Sequence, residues 1–244
     1  MTPNSSEADL NATLRGHTIR SVDRRGKYLL IGFDDDAWLV VHRKMSGNLL
    51  LQSAADAVEG HTHLRIQLGD GAELRFVDPR KFGRVYLFHS PEQRDEFLAA
   101  RLGPDSLLEL DEALLAARLR RRKGRIKSLL LDQAFLAGVG NLYADEALWE
   151  ARIHPLRAAD SLSTREVYRL ARAIKSVLVM GIERRGTSFS TYRDSDGNPG
   201  ENQDFLNVYG REGLPCPRCG TPIRRITIGQ RSAYFCPKDQ KLRG

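Results

Sequence analysis

Short apolar runs separated by turn residues fill the part of the chain between residues 18 and 88. Tyr28–Phe33 and Trp38–Val41 are such runs, and apolar residues alternate with polar ones from Leu64 to Leu68. Clusters of Asp, Gly and Ser lie between them, and this arrangement is typical of β-strands joined by tight turns. The pattern predicts about seven short strands in a sandwich or a barrel-like sheet.

A helical pattern begins after this region, with Ser90 in position to cap a first helix and Gly103-Pro104 in position to end it. The spacing of apolar residues then predicts four more helices, at about 111–122, 126–135, 142–151 and 164–184. A polar segment follows from about 187 to 207. Its length suggests either a functional loop or disorder.

These patterns together predict an α+β protein built from four segments in series. A β-sandwich comes first, and it is followed by a helical domain, the polar loop and a small β-hairpin that contains the cysteines. The predicted limits of the four segments are 1–89, 104–186, 187–207 and 208–244.

A dense group of cations, the basic cluster, precedes a glycine-rich turn in the helical region. The turn reads Gly138-Val139-Gly140-Asn141, and Asn141 is predicted to be the N-cap residue of the next helix. Free amides at a helix start, close to cations, form a site for phosphate groups. The alternative is a helical hairpin with a solvated basic face, but the density of cations favours nucleic acid. The basic cluster consists of Arg118, Arg120, Arg121, Arg122, Lys123, Arg125 and Lys127.

The overall charge agrees with a polyanionic partner, since the chain carries a net charge of +7 and has a pI near 9.5. No apolar run approaches the roughly 18 residues of a membrane span. The polar first residues do not have the pattern of a secretory signal. We therefore expect a cytoplasmic protein that does not associate with membranes.

The three cysteines lie near the end of the chain, in a spacing typical of a zinc ribbon. Cys216 and Cys219 are followed by Cys236, and Asp239 stands where a fourth cysteine is expected. Zinc accepts a carboxylate oxygen, although three thiolates and one carboxylate should hold it less tightly than four thiolates. The alternative is a hairpin without metal, held together by Ile223, Ile226, Tyr234 and Phe235.

Several segments carry motifs that occur in the same order in a known family. They read RRGKYLL at 24–30, MSG at 45–47, DPRKFGR at 78–84, then DQAFLAGVGNLYADEALWEARIHPLR, LNVYGREGLPCPRCGTPI and GQRSAYFCP. Over nearly the whole chain these motifs resemble the formamidopyrimidine-DNA glycosylase (Fpg/Nei) family. The resemblance implies a β-sandwich, a helix-two-turn-helix domain and a finger with one structural Zn²⁺, which together hold damaged duplex DNA.

The resemblance assigns a role in lesion recognition to one group of side chains. Met45, Arg80 and Phe82 match the residues that fill the gap left by a flipped-out nucleotide, a flip that costs about a few kcal/mol. The segment 187–203 would form the loop over the extruded base. Taken alone, the residues also fit a plain β-turn with Phe82 and Met45 in the core.

Other side chains are assigned to the DNA backbone and to bond cleavage. The resemblance implies that His61, Arg122 and Asn141 contact DNA phosphates. Lys27 matches the lysine that assists β-elimination, and Arg231 matches the finger arginine assigned to δ-elimination. Without the resemblance, Lys27 would be interpreted as an ordinary surface lysine of a strand.

The beginning of the chain departs from the family pattern. The family attacks the sugar with the secondary amine of an N-terminal proline, and a glutamate follows it. This chain begins Met1-Thr2-Pro3-Asn4-Ser5, so the nitrogen of Pro3 is an amide and cannot act as the nucleophile. We therefore expect a shortened sandwich with exposed strand edges. Met1 is then either an internal methionine of a longer natural protein or the start of a catalytically silent relative.

The expected function is DNA base-excision repair by a monomer in the bacterial nucleoid. The family activity would remove oxidised purines such as 8-oxoguanine and formamidopyrimidines from double-stranded DNA and cleave the abasic strand by β,δ-elimination. The 244-residue chain itself is expected to lack normal glycosylase activity. The alternatives are a damaged-DNA-binding protein without catalysis and, less favoured, an RNA-binding protein.

Overall fold

The computed structural model describes residues 1–120, 122–189 and 191–242, and the chain forms two compact units. The first unit comprises Met1–Ala100 with Arg184–Gln203, and the second comprises Arg101–Glu183 with Asp204–Gly244. The four segment limits expected from the sequence stay predictions. A few residues of the predicted features lie outside the described residues: Arg121 of the basic cluster, Ser190 of the loop, and Arg243 and Gly244 of the hairpin segment.

Seven antiparallel strands in two sheets form most of the first unit, as the alternation pattern predicted. One sheet has the order β1-β2-β3-β7 and the other has the order β4-β6-β5. The strands are β1 Ile19–Arg25, β2 Tyr28–Phe33, β3 Trp38–His42, β4 Asn48–Ser53, β5 Thr62–Gln67, β6 Ala72–Val77 and β7 Arg84–Phe88.

The two sheets enclose one apolar core. Leu39 and Val85 of the first sheet and Phe76 of the second belong to the same buried cluster, and each is at most 1% exposed. Burial of each such side chain stabilises the fold by about 1.5–3 kcal/mol. The arrangement of two packed layers confirms the predicted N-terminal β-sandwich.

A short helix, α1 at Glu7–Leu14, precedes the first strand and has no counterpart in the sequence prediction. The Ser6 hydroxyl and the Asp9 carboxylate form a capping box at its start. Leu10 is the one residue of this helix that is buried. A helix with a single buried side chain has almost no apolar period, which is the signal that predicts helices.

The residues before α1 line the outer edge of β7. The amide of Val85 donates to the carbonyl of Met1 at 3.1 Å, and Asn4 exchanges two hydrogen bonds with the backbone of Leu87 at 2.6 and 3.1 Å. Because β7 ends its sheet, these contacts cover an edge that a shortened sandwich was expected to expose.

Helix α2, at Pro91–Ala99, packs on the sandwich. It begins where the sequence predicts, because the Ser90 hydroxyl accepts a hydrogen bond from the amide of Gln93 at 3.4 Å. The ring of Phe97 lies 4.5 Å from that of Tyr86, measured between centroids. The aromatic contact fixes this helix against β7.

The second unit combines four helices with a two-stranded hairpin. Leu115, Leu130, Leu148, Leu170 and Ile174 form its core and have no exposed surface. Within the described ranges, none of the helices has both the length and the apolar character that crossing a bilayer requires. The helices are α3 Glu112–Leu119, α4 Ile126–Leu131, α5 Asn141–Glu150 and α6 Thr164–Glu183, with a single turn at Ala159–Ser161; the strands are β8 Arg224–Ile228 and β9 Arg231–Phe235. A further turn, Asn202–Phe205, spans the division between the two units along the chain.

Helix α4 ends at Leu131, before the predicted end near residue 135. The carboxylate of Asp132 accepts a hydrogen bond from the amide of Ala134 at 3.0 Å, and the amide of Phe135 donates to the Asp132 carbonyl at 3.0 Å. This turn competes with helix continuation, as aspartate side chains commonly do.

The α+β class and the order of sandwich, helical domain and hairpin are confirmed.

A buried ion pair joins α4 to α5. The Nζ of Lys127 lies 2.7 Å from the carboxylate of Asp145, and neither side chain is exposed. The Asp145 carboxylate also accepts a hydrogen bond from the amide of Tyr234 at 3.0 Å. Burial raises the pKa of Asp145 to about 6, against the attraction of Lys127, and the same burial lowers the pKa of Lys127.

The next residue, Glu146, is a second buried carboxylate with a different set of partners. It accepts hydrogen bonds from the amides of Asn207, Val208 and Tyr209 at distances between 2.9 and 3.2 Å. The side-chain amide of Asn207 donates to it as well, at 3.0 Å. Because buried carboxylates require hydrogen-bond donors, α5 fixes both the hairpin and the segment that leads to it.

Replacement of Lys127 with methionine should lower the free energy of unfolding of the second unit by about 3–5 kcal/mol, because it leaves the Asp145 charge buried and unpaired. Urea unfolding followed by circular dichroism measures this loss. The double substitution Lys127→Met with Asp145→Leu should recover part of it. Lys123→Met, at an exposed position, is the control and should change stability by less than about 0.5 kcal/mol. A double variant as unstable as the single one would contradict this account.

Candidate nucleic-acid interface and metal centre

Three side chains with assigned roles in lesion recognition lie together on the surface of the first unit. Met45 is 72% exposed and Phe82 is 47% exposed. The Arg80 guanidinium carbon lies 4.7 Å from the centroid of the Phe82 ring, and its Nη1 lies 3.7 Å from the sulfur of Met45. We call these three residues the Met45 cluster. Neither apolar member is in the core, so the alternative of a plain turn with buried apolar residues is wrong.

A buried carboxylate, that of Asp78, holds the two turns that carry the Met45 cluster. It accepts hydrogen bonds from the hydroxyl of Ser46 at 2.5 Å, the amide of Gly83 at 2.7 Å and the amide of Arg80 at 3.2 Å. The amide of Asp78 donates to the carbonyl of His61 at 3.0 Å. His61 is exposed in a left-handed conformation with φ of 67°. The turn of a predicted phosphate-binding residue is therefore joined to the Met45 cluster.

The environment of Asp78 favours its ionised form. Burial by itself would raise the pKa of Asp78, but hydrogen bonds from Ser46, Gly83 and Arg80 outweigh burial and hold it below the ordinary value of 3.8. A charged acceptor makes stronger hydrogen bonds than a neutral one. The two turns therefore depend on one carboxylate.

Lys27 lies in the tight turn between β1 and β2, half-buried beside Tyr28. Tyr28 pairs across the sheet with His42, and their rings meet edge to face with 4.7 Å between centroids. Burial lowers the pKa of His42 to about 4, and the charges of Lys44 and Lys27 add to this shift. The His42 imidazole is therefore neutral at neutral pH.

The described part of the loop at 187–203 is attached to the sandwich. The side-chain amide of Asn48 donates to the carbonyl of Thr191 at 2.6 Å and accepts from the amide of Arg193 at 3.1 Å. Arg43 stacks over the ring of Tyr192 with its guanidinium carbon 4.8 Å from the centroid. The described residues of this segment therefore fit an ordered loop and do not fit disorder.

In the second unit, Asn141, Lys127 and the hairpin meet at one backbone carbonyl. The carbonyl of Ser232 accepts from Nδ2 of Asn141 at 3.1 Å and from Nζ of Lys127 at 2.6 Å. Ser232 follows Arg231, which is exposed at the start of β9. Gly140, rather than Asn141, is the N-cap residue of α5, so that prediction is wrong. The Asn141 side chain makes a tertiary contact instead, and its Oδ1 is buried with no hydrogen-bond partner among the described residues.

The basic cluster divides into structural and exposed cations. Arg118 donates to two backbone carbonyls of the segment after α4 at 2.8 and 3.0 Å, and Lys127 is buried. Lys127 is therefore not available to bind phosphate, and Arg118 is engaged by backbone carbonyls, although the sequence grouped both with phosphate-binding cations. Arg122 is exposed between α3 and α4. Among the residues that the structure describes, no hydrogen bond joins the Arg122 side chain to Asn141.

The four predicted metal ligands converge at the base of the hairpin. Cys216, Cys219, Cys236 and Asp239 each offer one atom, and these atoms lie within 4.8 Å of one another. The Oδ2 of Asp239 is buried and accepts no hydrogen bond from any described residue, which is the state expected of a ligand oxygen. Three sulfurs and one carboxylate suit zinc in a closed structural site.

Known protein families match the chain over most of its length. The matching models are the formamidopyrimidine-DNA glycosylase N-terminal domain at residues 1–85, the formamidopyrimidine-DNA glycosylase H2TH domain at 102–193, and a zinc finger found in FPG and IleRS at 213–242. These matches define a DNA-binding protein of the DNA-repair glycosylase class with a helix-two-turn-helix domain and a zinc finger.

Individual relatives extend this result. The formamidopyrimidine-DNA glycosylase of Herpetosiphon aurantiacus is 51% identical over 90% of this chain and 80% of its own length, and that of Pelotomaculum thermopropionicum is 45% identical over 97% and 86%. The solved structure of the Lactococcus lactis Fpg with DNA containing an abasic site has a TM-score of 0.89 at 35% identity, over 96% of this chain and 86% of that one. The same protein with Fapy-dG DNA gives 0.90 at 34% identity, over 99% and 89%. The chain belongs to the formamidopyrimidine-DNA glycosylase family of base-excision-repair enzymes.

Several residues that shape these sites had no signal in the sequence pattern. Asp78 stood out only as the first residue of the DPRKFGR motif, and the polar side chain of Asn48 was not singled out. Asp145 and Glu146 look like exposed positions of a polar helix turn until their burial is known. An aspartate directly before a proline-containing turn was the one available signal for Asp78.

Replacement of Asp78 with asparagine should lower the free energy of unfolding of the first unit by about 1.5–3 kcal/mol at pH 7, because hydrogen bonds to a charged acceptor are lost. The pKa of Asp78 is depressed in the folded state, so its contribution is present above 3.8 and is lost as the pH falls below that value. Urea unfolding across a pH series measures both effects.

The control for this comparison is Asp36→Asn, at an exposed turn position with φ of 64° that asparagine tolerates. It should leave the free energy of unfolding almost unchanged. If the difference between the Asp78 variant and the parent chain stayed constant down to acidic pH, the proposed role of the carboxylate charge would be incorrect.

Proposed function

We propose that this enzyme removes oxidised purines from duplex DNA and cleaves the resulting abasic strand by β- and δ-elimination. Family membership supports the glycosylase activity, and the DNA in the solved Lactococcus lactis complexes, which contains an abasic site or Fapy-dG, supports the class of lesion. The identity of the oxidised purine and the elimination steps are inferred from the positions of individual side chains.

The observation that carries this proposal is the exposed Met45 cluster. An aromatic ring, a guanidinium and a thioether project from two turns that one buried carboxylate fixes together. A flipped nucleotide leaves a gap in the base stack, and flipping costs about a few kcal/mol. Apolar side chains inserted between base steps offset part of that cost. The Met45 cluster has the composition and the exposure that insertion requires.

The other side chains have separate proposed roles. His61, Arg122 and Asn141 contact phosphates, which positions the duplex without reading its sequence. Lys27 assists β-elimination, and Arg231 acts at the abasic phosphates during δ-elimination. The exposure of Arg231 at the start of β9, and the unpaired Oδ1 of Asn141, whose side chain donates to the adjacent Ser232, support an interface on this side of the second unit.

The second candidate function is binding of damaged DNA without catalysis. It is favoured by one observation: the nitrogen of Pro3 is an amide bonded to Thr2, so this proline supplies no free amine. A nucleophilic amine is required to form the Schiff base with the sugar. Retention of Lys27, Arg231 and the Met45 cluster supports the enzymatic candidate.

Zinc is the proposed cofactor, in a structural role. Cys216, Cys219, Cys236 and Asp239 would hold it and so fix the base of the hairpin that presents Arg231. The carboxylate should make this site weaker than one of four thiolates. We further propose that the protein works as a monomer on double-stranded DNA at the bacterial nucleoid.

Replacement of Phe82 with alanine should lower the affinity for a duplex with an abasic-site analogue by about tenfold, because stacking of a base on an aromatic ring contributes about 1–3 kcal/mol. Affinity for an undamaged duplex of equal length should hardly change. Fluorescence anisotropy measures both. Val22→Ala, which removes another exposed apolar side chain of the first unit, is the control.

An equal loss of affinity for damaged and undamaged duplexes would mean that Phe82 contributes to general binding and not to filling the gap. A steep fall of affinity with rising salt is expected for every variant, since phosphate contacts release counterions.

The 244-residue chain should not form an efficient covalent adduct with an 8-oxoguanine duplex under borohydride, because Pro3 has no free amine. A weak adduct with a preformed abasic site is expected through Lys27, since lysine amines form Schiff bases with aldehydes. Lys27→Ala should abolish it, whereas Lys241→Ala, at an exposed position, should not. An efficient adduct with 8-oxoguanine DNA would exclude the non-catalytic candidate.

A further inference from the structure

The metal centre has an arginine beside its one carboxylate ligand. The Nη1 of Arg218 lies 3.5 Å from the Oδ2 of Asp239, and the two side chains are 21% and 15% exposed. Arg218 itself belongs to the turn Cys216-Pro217-Arg218-Cys219 that supplies two of the sulfurs. The fourth ligand and a cation from the ligand turn are therefore adjacent in a partly buried place.

The guanidinium of Arg218 is held in place by the C-terminal end of α5. It stacks on the ring of Trp149 with its carbon 3.9 Å from the centroid. Its Nη1 donates to the carbonyl of Trp149 at 3.0 Å, and its Nη2 donates to the carboxylate of Glu150 at 3.0 Å. A planar guanidinium fixed on three sides offers its charge to Asp239 in a defined position.

A carboxylate ligand depends on a neighbouring group for its orientation more than a thiolate does. It has two oxygens and can rotate, and zinc prefers softer sulfur ligands when they are available. Outer partners that orient a ligand commonly change metal affinity by about 10- to 100-fold. Three thiolates and a carboxylate also carry more negative charge than one zinc ion neutralises, and a nearby cation offsets the excess.

We propose that Arg218 is a positioning residue that orients the Asp239 carboxylate toward the metal. The inference rests on the proposed zinc site. It adds that the zinc affinity of this site depends on an arginine in the turn that carries Cys216 and Cys219. The competing explanation is structural: Arg218 would only attach the finger to α5 through Trp149 and Glu150. That role would not depend on which residue is the fourth ligand.

The test compares four full-length chains: the parent, Arg218→Gln, Asp239→Cys and the double variant. Zinc affinity is measured by competition with a chelator, and the coordination sphere is followed by the visible bands of the cobalt-substituted protein. Arg218→Gln should weaken zinc binding by about 10- to 100-fold and shift the cobalt bands when Asp239 is present. In the Asp239→Cys background the same substitution should have an effect of less than about threefold and leave the bands unchanged.

Two further variants complete the design. Arg218→Lys should restore part of the affinity, because it keeps the charge without the planar fork. Arg224→Gln makes the same charge change at an exposed position of β8 and should leave zinc affinity unchanged. Circular dichroism of each metal-loaded chain shows whether the finger remains folded.

An equal loss of affinity on Arg218→Gln in both backgrounds would overturn the positioning role and leave only the attachment of the finger. Failure of the parent chain to bind zinc or cobalt at all would overturn the proposed zinc site as well. The two failures are distinguishable because the second appears before any substitution is made.

Discussion

Two adjacent carboxylates buried in one helix decide how the second unit is assembled. Asp145 is satisfied by a lysine of α4 and by the backbone of β9, while Glu146 is satisfied by three successive amides before the finger. A buried carboxylate without donors is strongly destabilising, so each contact is required once the helix is packed. The helix start at Asn141 and the exposed Arg231 are placed relative to one another as a consequence of this packing.

Periodicity predicted the strands and helices well, because the residues that make the pattern are also those that fill the two cores. It missed α1, where Leu10 is the one buried residue and a capping box forms the start of the helix. It also misassigned Asn141, whose side chain bonds to Ser232 across 91 positions of sequence. Lys127 was grouped with phosphate-binding cations because sequence alone cannot distinguish a buried cation from an exposed one.

Groups of side chains that lie close together in the sequence were predicted, whereas contacts between distant segments were not. Cysteine spacing predicted four side chains that converge at the base of the hairpin, and the motifs predicted three that lie together as the Met45 cluster. Asp78 was not identified because its partners come from two turns separated by 32 positions at the Ser46 contact. A single carboxylate thus joins two motifs that are independent in the sequence, and together they form one surface.

The positions of the two tryptophans have a consequence for spectroscopy. Trp38 lies in the first unit beneath Arg94, and Trp149 lies in the second beneath Arg218, each 3.9 Å from ring centroid to guanidinium carbon. The indole of Trp149 also donates a hydrogen bond to the sulfur of Cys216 at 3.4 Å. With one indole in each unit, and one of them against a sulfur of the proposed zinc site, intrinsic emission can separate a change at that site from unfolding of the sandwich.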